Sequence, residues 1–298
     1  MFRPASSWTR PWPTVRLRFN GSIGNATLHT GTRTTRQHTS RGPFFSSNGT
    51  KMDAPVGLLL RRSFADGSFR SRRQSLQLAT NLIIGANAAV FLAWQYADYN
   101  KDRKLMQVLH EHFALSTHNW RNGHYWTVIT SAFSHQNLMH FAFNMLTLRA
   151  FTSVLAWVPG FGATHFLTLG LGSAAAGSLA WLSEQGQTSG DRRWGSTATS
   201  VYKAALGASG LVMGVGAGAA CLMPFAPMNF MFIPVAIPLW ATTALFAAVD
   251  TYFLHSERSP IGHSAHLGGT VFGLLYYGAY LRKFGGITRW LKQRRGGY

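Results

Sequence analysis

Acidic residues are scarce in this sequence: 9 Asp and Glu stand against 28 Lys and Arg in 298 residues, a formal net charge of +19. Charged residues make up 12%, about half of the roughly 25% usual in a soluble globular chain. Too little charge is left to coat an ordinary water-soluble globule. Cysteine is nearly absent as well. Cys221, alone in an apolar run, excludes a disulfide framework and any multi-cysteine zinc or iron–sulfur site. A basic excess of this size would suit nucleic acid, but nearly half of the basic residues lie before residue 79, opposed only by Asp53 and Asp66. No nucleic-acid partner is expected. The chain is a basic tail on an apolar body, and a mean hydropathy of +0.01 averages the two.

From Met1 to Met52 there is no acid, while Arg3, Arg10, Arg16, Arg18, Arg33, Arg36 and Arg41 are scattered among Ser, Thr and Gly. That is the composition of an organellar transit peptide. A secretory signal needs an apolar core of about 7–15 residues near the start, and none is present. The other reading of the tail is a basic arm that touches acidic lipid or RNA. Residues 1–75 are therefore expected to be a presequence and a disordered basic tail, with the density of Arg favouring a mitochondrion over a chloroplast. Arg61, Arg62, Arg70, Arg72 and Arg73 would remain beside the first membrane span. Residues 284–298 form a basic C-terminal tail.

A helix crosses a bilayer with about 20 mostly apolar residues, so the distance between successive charges is informative. Arg73 to Asp98 encloses 24 uncharged residues, Lys203 to Asp250 encloses 46, and Arg258 to Arg282 encloses 23. Two further charge-free stretches run from Arg121 to Arg149 and from Arg149 to Glu184, the second divided by Pro159-Gly160. They place passes near 137–158 and 162–182. Pro224 and Pro227 mark a turn between two passes in the longest gap. Six passes are expected within 76–283, an all-α membrane protein. Basic flanks at both ends put both termini on the inner, matrix side. Spans two, four and six then run inward from the outer surface.

Strongly polar residues inside such spans are costly and mark function by default. His140 and Asn144 stand four apart, on one helix face of span two. Span four opens with Gly207-Ala208-Ser209-Gly210, and span six with Gly262-His263-Ser264-Ala265-His266-Leu267-Gly268-Gly269. All three sets fall near the outer ends of their helices. Gly210, Gly214 and Gly218 on one helix, and Gly269 and Gly273 on the other, let the two approach closely. A serine is a weak nucleophile until a neutral histidine takes its proton, and Ser209 with His266 would be that pair. The oxyanion that follows needs preorganised donors. Asn144, His140 and the Ser209 backbone N–H at a helix start can supply them.

These residues resemble the rhomboid intramembrane serine proteases. Gly207-Ala208-Ser209-Gly210 looks like the family's nucleophile motif, Ala265-His266 with Gly268-Gly269 and Gly273 like its general-base motif, and His140 with Asn144 like its oxyanion pair. His135, within the stretch from Gly123 to Asn144, extends the likeness, which covers about residues 78–283. The resemblance implies six helices around a water-filled cavity open to the outer side. It also implies a Ser–His dyad without an acid, no cofactor, and cleavage of single-pass or other transmembrane protein substrates that enter from the lipid. Departures from the family pattern are Trp126-Thr127, where relatives often carry Trp-Arg, and Met213, where many have an aromatic residue. No apolar run precedes residue 78, so the plain six-helix form is expected.

Several residues have blander readings. Asp250 is expected as a solvated cap rather than a third member of the catalytic set, and His263 as a residue in water. Arg149 has no evident partner. Pro234 and Pro238 would kink span five. His110-Glu111-His112 lacks the His-Glu-x-x-His spacing of a zinc protease, so no metal site is expected. One rival function is a catalytically silent rhomboid-like protein that binds and escorts membrane clients. Another is a transporter, although carriers bind solute near the bilayer midplane and these residues lie near one surface. The leading expectation is a serine endopeptidase of the mitochondrial inner membrane, with its site facing the intermembrane space.

Overall fold

A computed structural model describes residues 54–190, 203–230, 233–254, 256 and 261–295. The expected presequence up to residue 53, together with Arg192, Arg193 and Arg258, lies outside the described residues.

Helix α1 (Ala54–Tyr99) begins well before the first expected span. Residues 54–75, expected to be a disordered tail, are helical. Pro55 falls in the first turn, where a missing N–H is tolerated, and the Leu, Ala and Arg that follow are good helix formers. Further along, Leu76, Ala79, Ile83, Asn87, Phe91 and Trp94 are buried at helical spacing, while Leu78, Leu82 and Leu92 on other faces are exposed. A surface helix in water would carry polar residues there. Gly67–Tyr99, α5 (Leu138–Leu155) and Ala163–Gly186 within α6 (Ala163–Gly190) are long and apolar enough to cross a membrane.

Short helices α2 (Arg103–Phe113), α3 (Thr117–Arg121) and α4 (Thr127–Thr130) connect α1 to α5. Asp102 caps α2 by accepting from the Leu105 N–H, and Ser116 caps α3 by accepting from the Asn119 N–H. Such caps satisfy backbone donors that the helix itself cannot. The Trp94 indole N–H donates to Ser134 Oγ at 3.1 Å, and that hydroxyl donates to the Phe113 carbonyl at 2.7 Å. This chain of bonds pins the connection to α1. Thr127 is fully buried and donates to the His124 carbonyl.

Helix α7 (Ser209–Leu222) is made largely of small residues and is buried along almost its whole length. It packs against α6 and α9 (His263–Tyr276) at backbone distance. A Cβ on Gly269 would stand 2.1 Å from the Gly210 carbonyl oxygen, and one on Gly273 would stand 2.3 Å from that of Gly214. No side chain fits at either position. Large apolar residues, among them Leu148, Phe151, Leu155, Phe166, Leu169 and Leu211, fill the surrounding core.

The chain departs from a purely helical fold after α7. Strands β1 (Pro227–Phe230) and β2 (Ile233–Pro238) pair antiparallel, with Pro227 opposite Pro238 and Met228 opposite Ile237. Only then does α8 (Leu239–Tyr252) begin. The expected kinked helix through Pro234 and Pro238 is absent because proline removes a helical hydrogen bond and clashes with the preceding turn. The β-branched residues between the prolines suit a strand. At the C-terminus, α9 continues as a π-turn over Tyr277–Leu281, and the basic tail forms α10 (Ile287–Arg295). Arg149, left without a partner by sequence, donates to Asn81 Oδ1 on α1 at 2.7 Å.

Candidate active site

One cavity of 1240 Å³ is lined by Ser209, His266, His140 and Asn144, together with Asp250 and His263. Its walls come from the starts of α5, α7 and α9, the end of α8, the later turns of α6 and the loop ahead of α7.

The loop ahead of α7 is fixed at several points. Leu115 and Ala205 exchange backbone hydrogen bonds of 3.1 and 2.8 Å, and the Gly207 N–H donates to the Ser131 carbonyl at 3.0 Å. Gly207 has φ +132°, a conformation open to glycine and strained for other residues. A Cβ there would stand 2.6 Å from His140 Cε1, so the glycine also lets the His140 ring lie directly against this loop. Ser209 follows as the first residue of α7, at the end of the helix where backbone N–H groups have no partner within it.

His135 ties two parts of the site together, a role that sequence alone did not reveal. The Ala208 N–H donates to His135 Nε2 at 3.3 Å, and Asn144 Nδ2 lies 3.4 Å from the same nitrogen. Burial, followed by the neighbouring His140, pushes the His135 pKa down to about 3. The ring therefore stays neutral, and the Ala208 donor makes Nε2 its acceptor nitrogen. The sequence signal was its place five residues before His140, in the stretch from Gly123 to Asn144 that extends the family likeness.

Asn144 is buried, and its Nδ2 also donates to the His140 carbonyl at 2.9 Å. In this arrangement the amide braces the start of α5. Donation into the cavity requires one of these contacts to open. His140 is exposed, with its ring edge-on to His135 at a centroid distance of 5.0 Å.

Asp250 is not a solvated cap, and His263 does not sit in water. Each is 5% exposed. His263 Nδ1 donates to Asp250 Oδ1 at 2.7 Å, and His266 Nδ1 donates to the same oxygen at 2.9 Å. Histidines at 263 and 266 share one face of α9, since positions three apart are neighbours on a helix, and the end of α8 brings the carboxylate to both. Sequence could not show this because residues 250 and 266 belong to different helices. The bond at Nδ1 leaves Nε2 of His266 as the nitrogen with a lone pair. Among the described residues, no hydrogen bond joins that ring to the Ser209 hydroxyl. Met213 also lines the cavity. His110 packs edge-on against Trp94, and His112 stacks on Trp126.

The family model described as Rhomboid domain matches residues 122–283. Rhomboid protein 1, mitochondrial, of Saccharomyces cerevisiae is 30% identical over 203 residues, covering 67% of this chain and 52% of that protein. RHOMBOID-like protein 12, mitochondrial, of Arabidopsis thaliana is 29% identical over 204 residues, covering 67% and 57%. Presenilin-associated rhomboid-like protein, mitochondrial, of Homo sapiens is 30% identical over 151 residues, covering 50% and 36%. The chain spans about half the length of the first two relatives.

Proposed function

The chain belongs to the rhomboid family, and from that premise we propose that it is an intramembrane serine endopeptidase that cleaves transmembrane segments of membrane proteins. The observation that carries this reading is the shared cavity, whose wall holds Ser209, His266, His140 and Asn144 at once. In the proposed reaction His266 Nε2 takes the proton from Ser209 Oγ as the oxygen attacks the scissile carbonyl. The Asp250 carboxylate, accepting from Nδ1, holds the ring in the tautomer that a base needs. It also faces the positive charge that develops on the imidazole, as in other serine hydrolases. The resulting oxyanion is held by the Ser209 backbone N–H, by His140, and by Asn144 once its amide turns from the His140 carbonyl. His266 then gives its proton to the leaving amine, and water repeats the attack on the acyl-enzyme. Nothing in this sequence of steps calls for a cofactor.

The proposed topology has six passes, formed by α1, α5, α6, α7, α8 and α9, with the cavity open to the outer side. At 1.5 Å per residue, the 14 residues of α7 span about 21 Å, short of the roughly 30 Å hydrocarbon core. A helix this short cannot start at one lipid surface and end at the other, so Ser209 can lie beneath the surface while water reaches it through the cavity. The acid-free tail and the names of the relatives, which describe them as mitochondrial, support placement in the mitochondrial inner membrane. The site would face the intermembrane space.

The alternative of a silent escort protein draws on the unformed bond between Ser209 and His266 and on the engaged Asn144 amide. One experiment decides between the two. In proteoliposomes, the full chain is expected to cleave a tagged single-pass substrate and to take a fluorophosphonate label at Ser209. Ser209→Ala abolishes both. Undiminished cleavage by that variant removes the protease reading, and an unlabelled Ser209 with no cleavage favours the escort.

A further inference from the structure

The carboxylate and two imidazoles at the junction of α8 and α9 also form a donor set for a metal ion. One ligand atom from each of Asp250, His263 and His266 lies within 4.8 Å of the other two. Two imidazole nitrogens and a carboxylate oxygen are a common three-residue ligand set for zinc, which then takes water or another small ligand in a fourth position. The cavity reaches all three residues, so that fourth position has access to solvent. His263 stacks on Phe253 at a centroid distance of 5.8 Å, which steadies one ligand ring. In a tetrahedron with bonds of about 2.0–2.1 Å, ligand atoms stand roughly 3.3 Å apart. The two N···O separations, now 2.7 and 2.9 Å, need to widen by about half an ångström, and the N···N separation, within 4.8 Å, to settle near the same spacing, shifts that rotation about the side-chain bonds of the two histidines can provide.

We propose that Asp250, His263 and His266 form a zinc site that switches the protease off. The inference rests on the reading of His266 as the general base. When zinc bonds to Nδ1 of His263 and of His266, the proton that each Nδ1 donated to Asp250 leaves, and each ring takes up one proton at Nε2. Both rings remain neutral and no net proton is gained or lost. The lone pair that would accept the Ser209 proton is gone, because Nε2 now carries hydrogen. Asp250 changes at the same time from orienting the base to ligating the metal. Zinc therefore acts on the acylation step without entering the space where a substrate carbonyl would sit. This differs from metal catalysis: the ion supplies no water nucleophile and the reaction needs none from it.

The test uses the full chain in detergent or nanodiscs, freed of metal by a chelator, with Co²⁺ as a spectroscopic stand-in for zinc. Co²⁺ is expected to develop the intense visible absorption of a tetrahedral site at one equivalent, and Zn²⁺ to displace it. Zinc should slow fluorophosphonate labelling of Ser209, and chelation should restore it. His263→Gln keeps a polar side chain of similar size. It is expected to lose the cobalt band and to raise the zinc concentration for half-inhibition about tenfold or more, each variant being compared with its own metal-free rate. The proposal is overturned if wild-type protein gives no such band, or if His263→Gln remains as sensitive to zinc as wild type. If the band forms but metal-free Ser209 never reacts, the inhibitory role fails together with the protease reading, while the spectrum still supports the metal site.

Discussion

At the scale of single residues, the carboxylate of Asp250 is the finding that most changes the reading of the site. A histidine that is to act as a base must present a lone pair to the serine, and a hydrogen bond from its other nitrogen is what selects that tautomer. Asp250 provides the acceptor at 2.9 Å. In the proposed reaction it acts through His266 and is thus a positioning residue. Asp250→Asn is expected to slow cleavage at saturating substrate by about 100-fold, within the contribution of a positioned general base, with little change in KM. Asp250→Glu should recover part of the rate. Steady-state kinetics on both variants check this, since a merely structural role would alter both parameters and the folded fraction together. Ser209, His266, His140 and Asn144 could be picked out of the sequence because each is a polar residue in an apolar span. Asp250 could not, because the end of a charge-free stretch is also where an ordinary solvated acid belongs.

At the scale of elements, the close contact of α7 with α9 brings the two halves of the proposed dyad onto one cavity wall. Glycines at four-residue spacing announced it, and the structure brings Gly269 and Gly273 against the carbonyls of Gly210 and Gly214. Gly269→Val forces a branched side chain into that contact. Overpacking of this kind typically costs about 1–3 kcal/mol, and the thermal midpoint in detergent should fall accordingly, with loss of labelling at Ser209. Gly85→Val on α1, where a Cβ meets nothing within 4 Å, should leave both nearly unchanged. An equal loss in the two variants would mean that the α7–α9 contact does not control the site. The segment between α7 and α8 was less legible. Its apolar composition fits a buried helix as well as a strand, and its prolines, rather than kinking a helix, accompany a two-stranded ribbon.

At the scale of the whole molecule, an even number of passes places both ends of the chain on one side. In a Cys221→Ala background, a cysteine introduced at exposed Leu291 in α10 is expected to react with an impermeant maleimide from the matrix side, and one at exposed Trp126 from the opposite side. Labelling of both from the same face would refute the six-pass topology. The sequence by itself determined that the chain is a membrane protein of this family, where its apolar stretches lie, and which polar residues among them need explaining, because these follow from composition and local spacing. Only the tertiary structure decided which residues meet: Asp250 with two histidines of another helix, His135 with Ala208 and Asn144, and Arg149 with Asn81. Such contacts join positions up to 73 residues apart, and they depend on how helices pack in three dimensions, which no local pattern along the chain encodes.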